Sequence, residues 1–445
     1  MKNMNTIKCL GLSMILIPFL FILTCPSVLK GADIPSVEAV ISGKAPAPTI
    51  EELSRGKVKI GDLIDKTNVD LVKEYLNQGT YDCVKRGMVM RMSALNLKPE
   101  QLLSNTYIKA TERNKGKAVI DENGTVYFEK KGTLWPGGLP FPEPKTGLEA
   151  FSNTKYGRVW DEWTSDPNLI QFINSSGKVY KTIIMSQKYL QCTTRTKVAP
   201  LGAIKGHENI MWKRLTIMTS PREIDGLGAY TVRYYDDTRN PDTGFLYLPT
   251  FKKTIRVSAT TWQDNLVGSD LTYGDGWGLQ EPITYWKFKL LGAKLMLVNW
   301  EPDLPYYFLD EKRKFSDKMV FDVGKKFPRT GWAIAPVHIV EATPTIKHIY
   351  GKKILYILSW PYWPSNFPIV MADNYDRQMT LWKTQIATKG KEIFVDGETE
   401  IGSLMTPTYD LQADHMSLFW LYMKMNTLNF KSSDITMKKM LGYGR

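Results

Sequence analysis

Alternation of apolar and polar positions organises the middle of the chain. Between residues 252 and 259, Ile255, Val257 and Ala259 fall on one side of an extended backbone, and Lys252, Thr254, Arg256 and Ser258 on the other. That period of two predicts an antiparallel strand with one wet face. Tyr285-Trp-Lys-Phe-Lys-Leu290 repeats it, and Gly292 punctuates it before a second apolar run at 295–298. Upstream, Phe245-Leu-Tyr-Leu248 is apolar on both faces, which predicts a strand lying deep in a sheet. Further strands are predicted at 179–185, 210–218, 229–235, 331–343 and 347–358, and on either side of a turn at Asp376-Arg377. Residues 419–429 read as a last strand or a short helix.

Helical spacing is confined to the first third. Leu71, Val72, Tyr75 and Leu76 recur at helical intervals before Gly79, and Pro99 opens a helix running to about Arg113. A shorter helix starts at Gly147, after the Pro/Gly-rich 136–142. The pattern predicts a mainly β (α+β) fold, a large twisted antiparallel sheet over 175–430 with helices packed on one side. Its parts are a signal peptide at 1–32, a helical N-terminal segment at 33–134 and a β domain at 135–445.

Two irregular segments interrupt the strands. The loop at 262–275 is long but rich in apolar and aromatic residues, which favours a functional loop over disorder. Within it, Gly268, Ser269 and Asp270 suit a tight turn whose side-chain oxygens cap backbone donors, with Arg256 a candidate partner for Asp270. The second segment, 360–368, carries three prolines and four aromatic rings. Prolines bar it from the sheet, so Trp360, Tyr362, Trp363 and Phe367 either form a contact surface for a membrane or partner, or plug one end of the sheet.

Lys2 and Lys8 precede an apolar run at 9–23, and Lys30-Gly-Ala32 marks a cleavage site near Ala32. This reads as an export signal, its apolar core being shorter than a span of about 20 residues. A retained N-terminal anchor is the rival reading. A lipid anchor at Cys25 is not expected, because Thr24 fits an acylation signal poorly. Localisation in the periplasm follows, with outer-membrane association compatible. In that oxidising compartment Cys83 and Cys192 are a candidate disulfide, or else two buried thiols.

The 58 Lys and Arg against 45 Asp and Glu give a net charge of +13. The surplus is spread along the chain with no reader motif, which argues against nucleic acid. It suits anionic headgroups or an acidic partner, and equally a merely solvated surface. His207, His338, His348 and His415 are too few and scattered for a zinc site, and no HExxH or paired CxxC occurs. Neither is there a G-x-S-x-G elbow. Gly274-Asp-Gly-Trp-Gly278 does not lead from a strand into a helix, so it is no phosphate cradle. No metal, cofactor or catalytic residue is expected, and the chain reads as a non-enzyme.

Leu246-Tyr-Leu-Pro, Lys252-Lys-x-x-Arg256, Val267-Gly-Ser-Asp270 and Tyr273-x-Asp275 resemble a signature of LolA-like carriers, exported Gram-negative proteins related to the lipoprotein-localisation factors LolA and LolB. A longer set resembles an exported family known as a domain of unknown function, DUF1329. It comprises Gly138-Leu-Pro-Phe-Pro142, Gly147-Leu-Glu-Ala150, the block above, His338-Ile-Val-Glu-Ala-Thr343, Lys347-His-x-Tyr350 and Asn374-Tyr-Asp-Arg-Gln-Met-Thr-Leu-Trp382. The resemblance implies an incomplete, LolA-like half-barrel that carries a lipid, an acyl chain or another hydrophobic ligand. It further implies work with an RND-type lipid exporter and the outer membrane. Candidate ligand contacts are then Trp262, Leu266, Val267, Tyr273, Trp286 and Phe288. A non-catalytic envelope adaptor with a filled core is the alternative. A lipid or glycan hydrolase stands behind both, since no nucleophile–base pair emerges.

Overall fold

Most of the alternating stretches are strands of a single large sheet. The computed structural model describes residues 34–95, 103–257, 259–301, 327, 330–360, 368–390 and 400–443. The signal segment with Cys25, and Tyr362, Trp363 and Phe367, lie outside the described residues. From Glu162–Ile173 the chain runs back and forth through Val179–Gln191, Ile210–Ser220, Gly228–Tyr234 and Thr243–Leu248 to Lys253–Val257. Each strand pairs antiparallel with the one before. A second run passes through Trp286–Glu301, Thr330–Pro344, Tyr350–Leu358, Ile369–Asp376, Leu381–Ile386, Glu400–Asp410 and His415–Met425.

The two runs join where His415–Met425 pairs with Glu162–Ile173. Two short parallel contacts make the sheet mixed, one between Met90–Met92 and residues 330–332, the other between Thr388–Gly390 and Trp300. The sheet is not closed into a barrel, and Lys253–Val257 ends it with a partner on one side only. The mainly β architecture expected from the alternation is what the chain adopts.

Some details differ. Thr243–Leu248 is not deep in the sheet but next to its edge, and most of its residues are only half-buried. Residues 69–75 form a 3-10 helix, and the second early helix is Asn105–Asn114. His415–Met425 is a strand, not a helix.

Neighbouring residues of one strand feed opposite faces. Leu355 and Ile357 join a cluster with Tyr107 and Phe151, whereas Ile354, Tyr356 and Leu358 join another with Cys83 and Val84. Helical cover therefore reaches both faces of this half of the sheet. Gly147–Tyr156 starts in a capping box between Thr146 and Glu149 and lies on Trp286–Glu301. A Cβ at Gly147 would come within 2.7 Å of the Lys289 backbone nitrogen, which explains why the helix begins with glycine there. Cys83 and Cys192 sit in separate clusters, Cys192 beside Leu215 and Met440, so the candidate bridge between them is not formed. Both thiols are packed as small apolar groups.

Candidate functional site

After the edge strand Lys253–Val257 the chain does not turn back into the sheet. It crosses to the other run as a series of short 3-10 turns, Ala259–Gln263, Leu266–Gly268, Tyr273–Asp275 and Ile283–Tyr285. Between this loop and the sheet lies a cleft of about 560 Å³, within the range of small-molecule sites. Met185, Met218, Ala229, Leu246 and Phe419 line it from the sheet, and Trp262, Leu266, Leu271 and Tyr273 from the loop.

Buried polar contacts hold the loop in place. The Asp275 carboxylate accepts from the Lys353 ammonium, from the Tyr350 hydroxyl at 2.8 Å and from the Thr272 amide at 2.8 Å. Asp275 and Lys353 side chains have no exposure at all. Burial alone would push the Asp275 carboxyl up, but the Lys353 charge beside it holds it below the usual carboxylate range. Glu281 takes Trp286 Nε1 at 3.0 Å and His348 Nε2 at 3.1 Å. The Tyr350 amide donates to His348 Nδ1 at 3.0 Å, so the ring carries a proton on Nε2 and donates it to Glu281.

A third anchor is Asp270. Its Oδ2 meets Ser417 Oγ at 2.7 Å and His415 Nδ1 at 2.6 Å, and its carbonyl takes Lys383 Nζ at 2.6 Å. Asp270 thus ties the loop to His415–Met425 and Leu381–Ile386, not to the Arg256 suggested by sequence. Ser269 is buried, its hydroxyl accepting from the Leu271 amide, and Gly268 supplies a positive φ of 83°. Asp270→Ala is expected to cost about 1–3 kcal/mol by leaving the Ser417 and His415 groups without their acceptor. Urea unfolding checks this; an unchanged midpoint would show that the anchor contributes nothing.

Beyond Arg214 and Trp277, which line one end of the cleft, arginines and tryptophans alternate. Arg158 Cζ lies 4.5 Å from the Trp277 ring centre and Arg214 Cζ 5.5 Å from the same ring. Arg214 and Arg233 in turn lie 5.3 and 5.2 Å from the Trp212 ring. Arg233 forks onto Asp242, with Nη2 to Oδ2 at 2.9 Å. Arg158 and Arg214 make no hydrogen bond or ion pair among the described residues. Burial pushes the Arg214 guanidinium down to about 10 and lowers Arg158 as well.

Of the residues singled out in the sequence, Trp262, Leu266 and Tyr273 line the cleft together. Val267 packs beside them against the Ile170 and Met218 cluster. Trp286 and Phe288 are in a different core: Trp286 bonds Glu281, and Phe288 stacks on Phe151 at 4.2 Å. Trp360 packs partly buried against that same core. Sequence reasoning passed over the arginine–tryptophan array. Its local traces are Arg158-x-Trp160 and Trp212-x-Arg214, the latter two residues of one strand face.

Among the described residues, no group of three or more His, Cys, Asp or Glu is placed to hold a metal ion, and no helix is long and apolar enough to cross a membrane. No curated protein matches the chain. It is similar to the solved structure of a putative outer membrane lipoprotein-sorting protein domain from Vibrio parahaemolyticus, at 17% identity and a TM-score of 0.44. That likeness covers 66% of this chain and 98% of the other. It is also similar to a DUF1329 family protein from Desulfovibrio piger, at 12% identity and a TM-score of 0.41, over 63% of this chain and 92% of that one. The family model described as "Protein of unknown function (DUF1329)" matches residues 63–440, more than half of the sequence, and the chain belongs to that family.

Proposed function

We propose that this protein is a non-catalytic carrier that takes a lipid or another hydrophobic ligand into the cleft between the sheet and the 259–285 loop. The observation behind this reading is the cleft itself, a space of about 560 Å³ with a largely apolar wall. Burying an acyl chain there yields roughly 25 cal/mol per Å² of apolar surface, enough for reversible binding with no covalent step. An adaptor with a filled core has no use for such a space. A hydrolase reading gains little support from His415. Its Nε2 meets the Tyr180 hydroxyl at 2.8 Å, and Ser417 bonds Asp270 instead. Ser359 with His338 and Ser432 with His207 do bond, at 2.8 and 2.6 Å, but neither pair lines the cleft. Transfer through the periplasm is the wider frame of the proposal, with an RND-type exporter and the outer membrane as partners. The export signal read at 1–32 supports that frame.

An uncharged probe tests it. N-phenylnaphthylamine is expected to brighten on binding the full chain. Ala229→Trp, which fills the cleft from a half-buried wall position, is expected to abolish that rise while leaving the Tm in place. No brightening with the wild type, or equal brightening with the variant, would overturn the carrier reading.

A further inference from the structure

One cation of the cleft has no ionic partner: Arg214 lines its aromatic end, and its side chain makes no hydrogen bond or ion pair among the described residues. Arg158 and Arg233, which line a smaller pocket that shares Trp277 with the cleft, both act on it electrostatically. Asp242 is the carboxylate among them, and Arg233 already occupies it. Nearby charges are matched elsewhere: Lys155 pairs with Asp237 at 2.8 Å and Asp275 with Lys353, while the Glu281 carboxylate is held by hydrogen bonds from His348 and Trp286. Arg256 and Asp264 are exposed at the rim and oppose each other in sign.

Donors are in surplus there too. Arg158 Nε, Trp163 Nε1 and Trp212 Nε1 are buried and meet no acceptor among the described residues. Tyr189 links them, its ring 5.3 Å from Trp163 and 5.6 Å from Trp212. Indole faces attract a guanidinium charge, but they offer nothing to its in-plane N–H groups. Half-buried cations beside buried donors left in this state are costly unless something supplies negative charge and lone pairs.

The opposite end of the cleft is apolar. Met218 lies four residues beyond Arg214 on Ile210–Ser220, about 13 Å along an extended strand, and packs with Met185, Leu227 and Leu266. Resting on the carrier reading, we propose that the cleft selects an amphiphile with an anionic head, a carboxylate or a phosphate ester. The head is held at Arg214, beside the unpartnered Trp163 Nε1, and the tail runs towards Met218 and Leu227. A planar guanidinium matches either head with two parallel hydrogen bonds.

Displacement of N-phenylnaphthylamine from the full chain by dodecanoate, dodecyl phosphate and dodecanol separates head from tail. Both anions are expected to displace the probe at concentrations at least about tenfold below dodecanol, and whichever anion acts at the lower concentration names the head. Arg214→Met is expected to bring the three ligands together while the probe still binds as before. Arg214→Lys is expected to restore part of the gap. Unchanged probe binding certifies that each variant is folded. The inference is overturned if dodecanol matches the anions on the wild type, or if the gap survives Arg214→Met. Failure of the wild type to take up the probe at all is a different result. It sinks the carrier reading, and this inference with it.

Discussion

Asp275→Ala is expected to lose about 3–5 kcal/mol of folding stability, the largest effect of any single polar substitution in the loop. The reason is what remains. Lys353 is wholly buried, and the Gly278 carbonyl at 3.2 Å would be left as its hydrogen-bond acceptor among the described residues. The Tyr350 hydroxyl and the Thr272 amide would lose their acceptor in the same step. Replacing both members, as in Asp275→Leu with Lys353→Met, removes the stranded charge and is expected to recover most of the loss. Urea unfolding of the two variants decides the matter. A single variant within about 1 kcal/mol of wild type would mean that the pair contributes no more than an exposed salt bridge.

The second large effect appears only in acid. Burial pushes the His338 imidazole down to about 4, and its Nδ1 bonds Ser359 Oγ at 2.8 Å. Between its unfolded value near 6.5 and about 4, the unfolded chain holds a proton that the folded chain refuses, so stability falls as pH falls through that window. Asp373 acts in the opposite sense. Burial pushes it up to about 6, despite donors from Thr384, Gly79 and Asn77. From about 6 down to the unfolded value, its folded form binds the proton more tightly, and stability rises. The two nearly offset each other in the wild type. His338→Gln keeps a partner for Ser359 and removes one side of the balance. From pH 7 to pH 4.5 the variant is expected to lose about 2–3 kcal/mol less than wild type. Equal losses on urea unfolding would show that His338 is protonated in the folded protein.

Period-two patterning revealed the strands because each is amphipathic or sits between two apolar layers. It misjudged the surroundings of Thr243–Leu248 for a specific reason. Leu246 faces the cleft while Tyr247 packs with Met440 from the C-terminal helix Met437–Tyr443. Two apolar faces therefore mark two different neighbours, not depth in the sheet. The same limit applies to Trp286 and Phe288. Their spacing puts them on one face, but no local pattern tells which face looks at the cleft and which at Gly147–Tyr156. The loop at 262–275 stood out by length and composition, and three of its singled-out side chains do line the cleft. The arginine–tryptophan array was out of reach, because Arg158, Trp212, Arg233 and Trp277 come from four separate segments. Strand register places Arg233 opposite Trp212, while Arg158 and Trp277 arrive from connecting segments.

The joint between the two strand runs also governs how the molecule can assemble. Trp420 Nε1 donates to Gln171 Oε1 at 2.9 Å across 249 residues of sequence. Contacts so distant along the chain form late, because their loop-closure entropy comes first. Until His415–Met425 arrives, both Glu162–Ile173 and Glu400–Asp410 present bare backbone edges. Such edges recruit strands from other molecules. A chain truncated before residue 415 therefore keeps both edges open permanently, and aggregation during refolding, rather than a smaller folded protein, is its expected fate.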